Sequence, residues 1–169
     1  MSELDGWKYC PLCRGELEVG PGRVDCPACG FRTYASSKPT ACALCVDDAG
    51  RVLLARRAGE PFEDAWDLPG GFLEEGEHPL DALRREVREE TGLEVEPDRF
   101  LGIWMDRYGS GPGAQSTLNL YWTALIVSGE PEAADDVSEL AWFAADALPL
   151  DEEFAFHIAE VLSTWKENR

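Results

Sequence analysis

The sequence predicts an α/β domain preceded by a small metal-held appendage. Three observations predict it. Two Cys-x-x-Cys pairs crowd the first thirty residues, a segment too short to bury a core of its own. Apolar, strand-like runs recur behind them, separated by turn residues. Among those runs lie two stretches with helical apolar period, Pro79–Thr91 and one beginning near Asp151.

The appendage comes first. Cys10-Pro11-Leu12-Cys13 and Cys26-Pro27-Ala28-Cys29 stand twelve residues apart. Two such turns suit zinc held tetrahedrally by four thiolates, Cys10, Cys13, Cys26 and Cys29. A closed four-thiolate site has no open position, so this Zn²⁺ is structural. The prolines and the following Gly15 and Gly30 favour tight knuckles. Leu17–Val19 and Arg23–Asp25 read as short strands, and the segment resembles a zinc ribbon over residues 1–37. Ala35–Pro39 reads as a linker into a larger domain, 38–169.

In that domain Thr40–Val46 is an apolar run that reads as a buried strand. Asp47–Gly50 is a turn, and Arg51–Arg57 is the returning strand. Residues 58–67 are rich in Gly, Pro and charge and read as a loop, after which Trp66–Phe72 re-enters structure. Pro79 suits the first position of a helix and Gly92 its stop, with Leu80, Leu83 and Val87 on one face. Phe100–Arg107 and Thr117–Val127 read as strands around a glycine-rich loop, and Leu140–Ala144 as a short strand. Asp151 can cap a final helix with Phe154, Ile158, Val161, Leu162 and Trp165 as its core face. A third Cys-x-x-Cys, Cys42 and Cys45, falls in a strand, where an offset of three puts the thiols on opposite faces as small buried hydrophobes.

Composition narrows the function. With 44% hydrophobic residues and six tryptophans the chain has the means for a packed core. A formal charge of −18 repels phosphate backbones and anionic membrane surfaces, which disfavours nucleic-acid and membrane partners. It leaves room for a small anionic substrate bridged by cations. An acidic N-terminus without an apolar leader, and cysteines patterned for metal, lead to the expectation of a cytoplasmic protein.

The chemistry concentrates on the first helix. Glu86, Glu89 and Glu90 stand at i, i+3 and i+4, so their carboxylates project from one side and repel one another. Alone, such a trio reads as a solvated acidic face. Its surroundings reverse that reading. Glu86 and Glu90 flank the apolar Leu83 and Val87, and Gly70-Gly71 just upstream permits an unusual backbone path. A hard divalent cation such as Mg²⁺ or Mn²⁺ would relieve the repulsion and accept an oxygen from Gly71. Arg85 and Glu77 can pair and hold the glutamates in place.

The string Gly71–Leu93 resembles the Nudix box in full. Five residues separate Gly71 from Glu77, and seven more lead to Arg85-Glu86-Val87, then Glu89-Glu90 and Gly92-Leu93. The likeness extends over about residues 38–150. It implies an α/β/α sandwich with a mixed sheet, Glu86, Glu89 and Glu90 as ligands of Mg²⁺ or Mn²⁺, and Glu77 and Arg85 as their orienting groups. It also implies a further carboxylate from a distant loop: Glu139 is the candidate, with Glu132, Asp135 and Asp136 as rivals. Glu89 or Glu90 would hold or deprotonate the attacking water. The implied activity is hydrolysis of the diphosphate bridge in a nucleoside diphosphate derivative, and a homodimer is implied as well.

A ribbon ahead of such a domain is similar to the NADH pyrophosphatase branch. That branch's Ser-Gln-Pro-Trp-Pro-Phe-Pro signature is absent, and Trp66–Phe72 looks more like general ADP-ribose or flavin-dinucleotide pyrophosphatases. ADP-ribose or a related dinucleotide (FAD, NADH) is therefore the expected substrate. For its binding, Arg56 or Arg57 can touch phosphate and Trp66 or Phe62 can stack on a base. His157 reads as packing and His78 as a helix boundary. The competing reading is a regulator that binds nucleic acid or protein through its ribbon, with a vestigial catalytic domain. The intact glutamate set argues against it.

Overall fold

The computed structural model describes residues 3–111 and 114–168. Two compact units emerge. One holds the N-terminal segment through Ser37 with the hairpin tip Arg107–Ser116; the other holds Lys38–Asp106 and the rest of the chain from Thr117.

In the first unit, β1 (Glu18–Gly20), β2 (Arg23–Asp25) and β3 (Arg32–Tyr34) form a three-stranded antiparallel sheet. The two cysteine turns repeat one geometry. Arg14 N–H returns to the Cys10 carbonyl and Gly30 N–H to the Cys26 carbonyl, both at 2.9 Å. The left-handed position of the first turn is filled by Arg14 (φ 61°), not by Gly15; Gly30 (φ 78°) fills it in the second. Val24 and two of the four cysteines are buried in this unit, with Leu4 and Ala114.

The second unit is a seven-stranded mixed sheet between two helices. β4 (Lys38–Val46) lies at its centre, parallel to β9 (Gln115–Ser128) and antiparallel to β5 (Val52–Arg57). β8 (Glu94–Tyr108) flanks β9, and β10 (Val137–Phe143) flanks β5. The short β6 (Trp66–Asp67) pairs β5, and β7 (Gly70–Phe72) pairs β4. Lys38 and Pro39, expected in a linker, are the first residues of β4, opposite Thr117 and Leu118.

Alternation along β4 builds the two halves of the core. Ala41, Ala43 and Cys45 face α1 (Pro79–Thr91) and pack on Ala82, Leu83 and Val87. Cys42 and Leu44 face α2 (Ile158–Glu167) and pack on Ile158, Val161, Leu162 and Trp165. The two thiols thus sit in opposite layers. The bounds of α1 follow its caps: His78 Nδ1 accepts the Leu80 N–H at 3.3 Å, and Gly92 closes the helix in the left-handed conformation (φ 70°), its N–H on the Arg88 carbonyl.

The final helix departs from expectation at its start. Asp151–Glu153 form a separate 3-10 turn, and Asp151 caps nothing in α2. The chain must leave helical geometry at Phe154 and Ala155 because they bridge to Trp66, with the Ala155 N–H on the Trp66 carbonyl at 2.9 Å. The apolar face from Phe154 to Trp165 is buried as the sequence implied.

Candidate active site

Helix α1 and the turn before it set the geometry. Arg85 spends its donors on four groups. Its Nε and Nη2 grip the Glu77 carboxylate at 2.9 and 2.8 Å, and Nη2 also reaches the Phe72 carbonyl at 3.1 Å. Nη1 holds Glu86 at 2.8 Å and Glu89 at 3.2 Å. The guanidinium fork, with help from the Glu74 N–H, depresses the Glu77 carboxyl to about 2. One arginine therefore fixes two of the three box glutamates.

Those three glutamates have unequal surroundings. Glu89 stands at the rim, with half of its side chain exposed. Glu86 lies against Gly71, where a Cβ would come within 2.6 Å of its carboxyl carbon. Glu90 is buried at 6% exposure and accepts the Gly70 N–H at 2.9 Å. Gly70 itself is pressed on β4, where a Cβ would stand 2.4 Å from the Ala41 carbonyl oxygen. Burial pushes the carboxyl of Glu90 well above the usual range, and the neighbouring Asp136, Glu86 and Asp67 add to the rise. Burial raises Glu86 too, against the pull of Arg85.

The loop 132–136 reaches this cluster because it is pinned to the end of α1: Glu132 N–H bonds the Thr91 carbonyl and Ala134 N–H the Glu90 carbonyl. Asp136 and Glu90 line one small pocket together with Asp67, Arg57 and Gly70. Glu139, preferred on sequence, instead lies opposite Arg56 in the sheet, 3.3 Å from its guanidinium. The rival Asp136 is the acid that faces the glutamates. Asp67 was missed altogether. It is raised by burial, which Arg57 partly offsets through an ion pair at 3.1 Å.

Trp66 and Arg56, expected to bind substrate, pack on one another. Trp66 is 5% exposed in the α2-side core, edge-on to Phe143, and Arg56 lies over its ring at 4.5 Å. Trp66 is largely buried, and Arg56 lies over its ring and beside Glu139, off the lining of the small pocket. The arginine on the pocket wall is Arg57. Phe62 is exposed, and His157 bridges Asp106 (3.0 Å) and Tyr121 (3.1 Å) within the core.

The donor set fits a hard divalent cation: Glu86, Glu90 and Asp136 offer carboxylate oxygens, and Glu90 is buried against a single N–H, an expensive state for an anion without a counter-ion. The ribbon fits a different ion. A tetrahedral zinc with Zn–S of about 2.3 Å needs sulfurs about 3.8 Å apart. Cys10 and Cys29 sulfurs stand 3.6 Å apart, Cys13 and Cys26 3.5 Å apart, and all four ligand atoms lie within 4.8 Å of one another. Among the described residues this is the one cluster of three or more such ligands so tightly drawn; the box carboxylates are more open.

The model of the NUDIX domain family matches residues 36–164, and the chain belongs to this family. It is 33% identical over 106 residues to an ADP-ribose pyrophosphatase of Methanocaldococcus jannaschii, covering 62% of this chain and 60% of that protein. It is 35% identical over 146 residues to the NAD-capped RNA hydrolase NudC of Pseudomonas aeruginosa, covering 84% of this chain and 49% of that protein. The chain thus spans less than two thirds of the length of these curated relatives. A NUDIX hydrolase from Nitrosomonas europaea has a crystal structure with a TM-score of 0.80 and 26% identity, over 96% of this chain and 92% of that one.

Proposed function

We propose that residues 38–169 form a metal-dependent pyrophosphohydrolase that opens the diphosphate bridge of a nucleoside diphosphate derivative, with ADP-ribose or a related dinucleotide (FAD, NADH) as substrate. The observation that carries this reading is that Glu90 and Asp136 line one pocket at Gly70 while Glu86 lies against the adjoining Gly71. Similarity to proteins named for this chemistry supports it.

In this reading Glu86, Glu89 and Glu90, with Gly71 and Asp136 beside them, would hold Mg²⁺ or Mn²⁺, which when bound would supply positive charge for the bridge oxygens and a more acidic water. Arg85, anchored by Glu77, keeps Glu86 and Glu89 at fixed positions, so little reorganisation accompanies reaction. Glu89 or Glu90 takes the proton of the attacking water. Arg57, held by Asp67, presents positive charge on the pocket wall toward the phosphates. The ribbon holds structural Zn²⁺ on Cys10, Cys13, Cys26 and Cys29. Six free thiols favour a reducing, cytoplasmic setting, and no helix among the described residues is long and apolar enough to cross a membrane.

A second substrate has one observation in its favour: the NudC match covers more of this chain than the ADP-ribose pyrophosphatase match. The deciding experiment offers the purified full chain ADP-ribose, FAD, NADH and an NAD-capped oligoribonucleotide with Mg²⁺ or Mn²⁺ and identifies the products. Release of AMP and ribose 5-phosphate from ADP-ribose at the highest kcat/KM is the expected result. Fastest cleavage of the capped RNA would move the assignment to the second substrate, and an inert protein would end the hydrolase reading.

A further inference from the structure

We propose that Phe62 and Phe156 form the platform on which the purine base of the substrate stacks, an inference that rests on the pyrophosphohydrolase reading. The two rings meet edge to face with centroids 4.7 Å apart. Phe62 leaves 46% of its surface in water, although Phe154 and Trp66 nearby are buried and already fill the core. Paired with Phe156, Phe62 belongs to a contiguous aromatic surface and is not a lone exposed ring.

Both residues also carry a disfavoured backbone. Phe62 (φ 63°) and Phe156 (φ 48°) occupy the left-handed region, which bulky side chains avoid. Such conformations persist where the surroundings over-determine them, and they gather at ligand sites. Here the surroundings are specific. Arg57 donates through Nε to the Pro61 carbonyl at 2.7 Å, one residue before Phe62, and its guanidinium lies 5.4 Å from the Phe156 ring centre. Its backbone closes the same loop, bonding Ala65 and Asp64 at 3.0 Å. On the other side, Ala155 is bonded to Trp66, so the segment bearing Phe156 is fastened to β6. One arginine and two paired strands thus preset both rings.

Position completes the argument. Arg57 and its partner Asp67 also line the pocket of Glu90 and Asp136. The aromatic pair therefore adjoins the carboxylate cleft with a single side chain between them. A nucleoside 5′-phosphate has the same order: a planar ring at one end, an anion at the other. An aromatic face with no fixed donors accepts any planar base and rejects a sugar lacking one.

Equilibrium binding of AMP and of ribose 5-phosphate to the full chain, with Mg²⁺ present, tests this without turnover. Phe62→Ala, at an exposed site, should weaken AMP roughly tenfold or more and leave ribose 5-phosphate unchanged. Phe62→Trp should restore AMP, and Phe156→Leu, which stays apolar but has no ring, should weaken it. The inference is overturned if the wild type does not bind AMP, if Phe62→Ala binds it as the wild type does, or if both ligands weaken equally. Hydrolysis is scored separately: AMP binding that depends on Phe62 in a protein that cleaves no dinucleotide would sink the hydrolase reading and keep the platform.

Discussion

The carboxylate of Glu90 accepts the backbone N–H of Gly70 at 2.9 Å, tying the last turn of α1 to the first residue of β7. This bond offsets only part of what burial costs the anion. Glu90→Gln keeps the size and an acceptor for Gly70 but removes the charge. The variant should melt no lower than wild type without added metal, while kcat on ADP-ribose falls by about two to four orders of magnitude. Thermal melts and steady-state kinetics on one preparation check both halves.

Gly70 and Gly71 are adjacent but should fail differently. At Gly70 an added methyl meets the rigid backbone of β4, and φ is 146°. Gly70→Ala should cost about 3 kcal/mol or more, read by urea unfolding. At Gly71 the methyl meets only the end of the Glu86 side chain. Gly71→Ala should fold with a modest loss of stability, yet lose most activity because Glu86 is driven from its place.

The Glu77–Arg85 pair makes a signed prediction in acid. The folded carboxyl lies at about 2, below its ordinary value of 4.5. Its contribution is therefore complete above about pH 4.5 and lost as pH falls toward 2. A Glu77→Gln variant should melt below wild type at pH 6, and the gap should narrow steadily from pH 4.5 to pH 2.5. A gap that stays constant over that range would contradict the pairing.

The ribbon predicts a thiol count. Purified protein should carry one zinc per chain by elemental analysis. After chelation, four thiols (Cys10, Cys13, Cys26 and Cys29) should react with Ellman's reagent, and Cys42 and Cys45 only in denaturant. Six thiols reacting at once under native conditions would contradict both the metal cluster and the buried pair.

Much of this was legible because the signals are local. Pro79 and Gly92 mark α1 by backbone chemistry that acts within a turn, and the 86, 89, 90 spacing fixes a helical face. The alternation that puts Cys42 and Cys45 in opposite layers is likewise intrinsic to a strand. What escaped depends on pairing between distant segments. Trp66 sits in a strand of two residues, too short for any period to reveal its face. Asp67 becomes a pocket residue only because β6 folds back on β5 and meets Arg57. That Asp136 and not Glu139 lines the pocket with Glu90 turns on a register shift between Val137 and Glu139, which sets Glu139 opposite Arg56. An opposite-charge pair across two strands was the one available hint to Asp67.

Cys42 and Cys45 belong to one strand yet lie beneath different helices, and both are buried. Each is an internal gauge of its own layer. Hydrogen–deuterium-style tagging with a slow alkylator, resolved by mass at the two positions, would time the lifting of α2 separately from the lifting of α1. Equal rates would mean that the sandwich opens as one block; unequal rates would identify which helix peels away first.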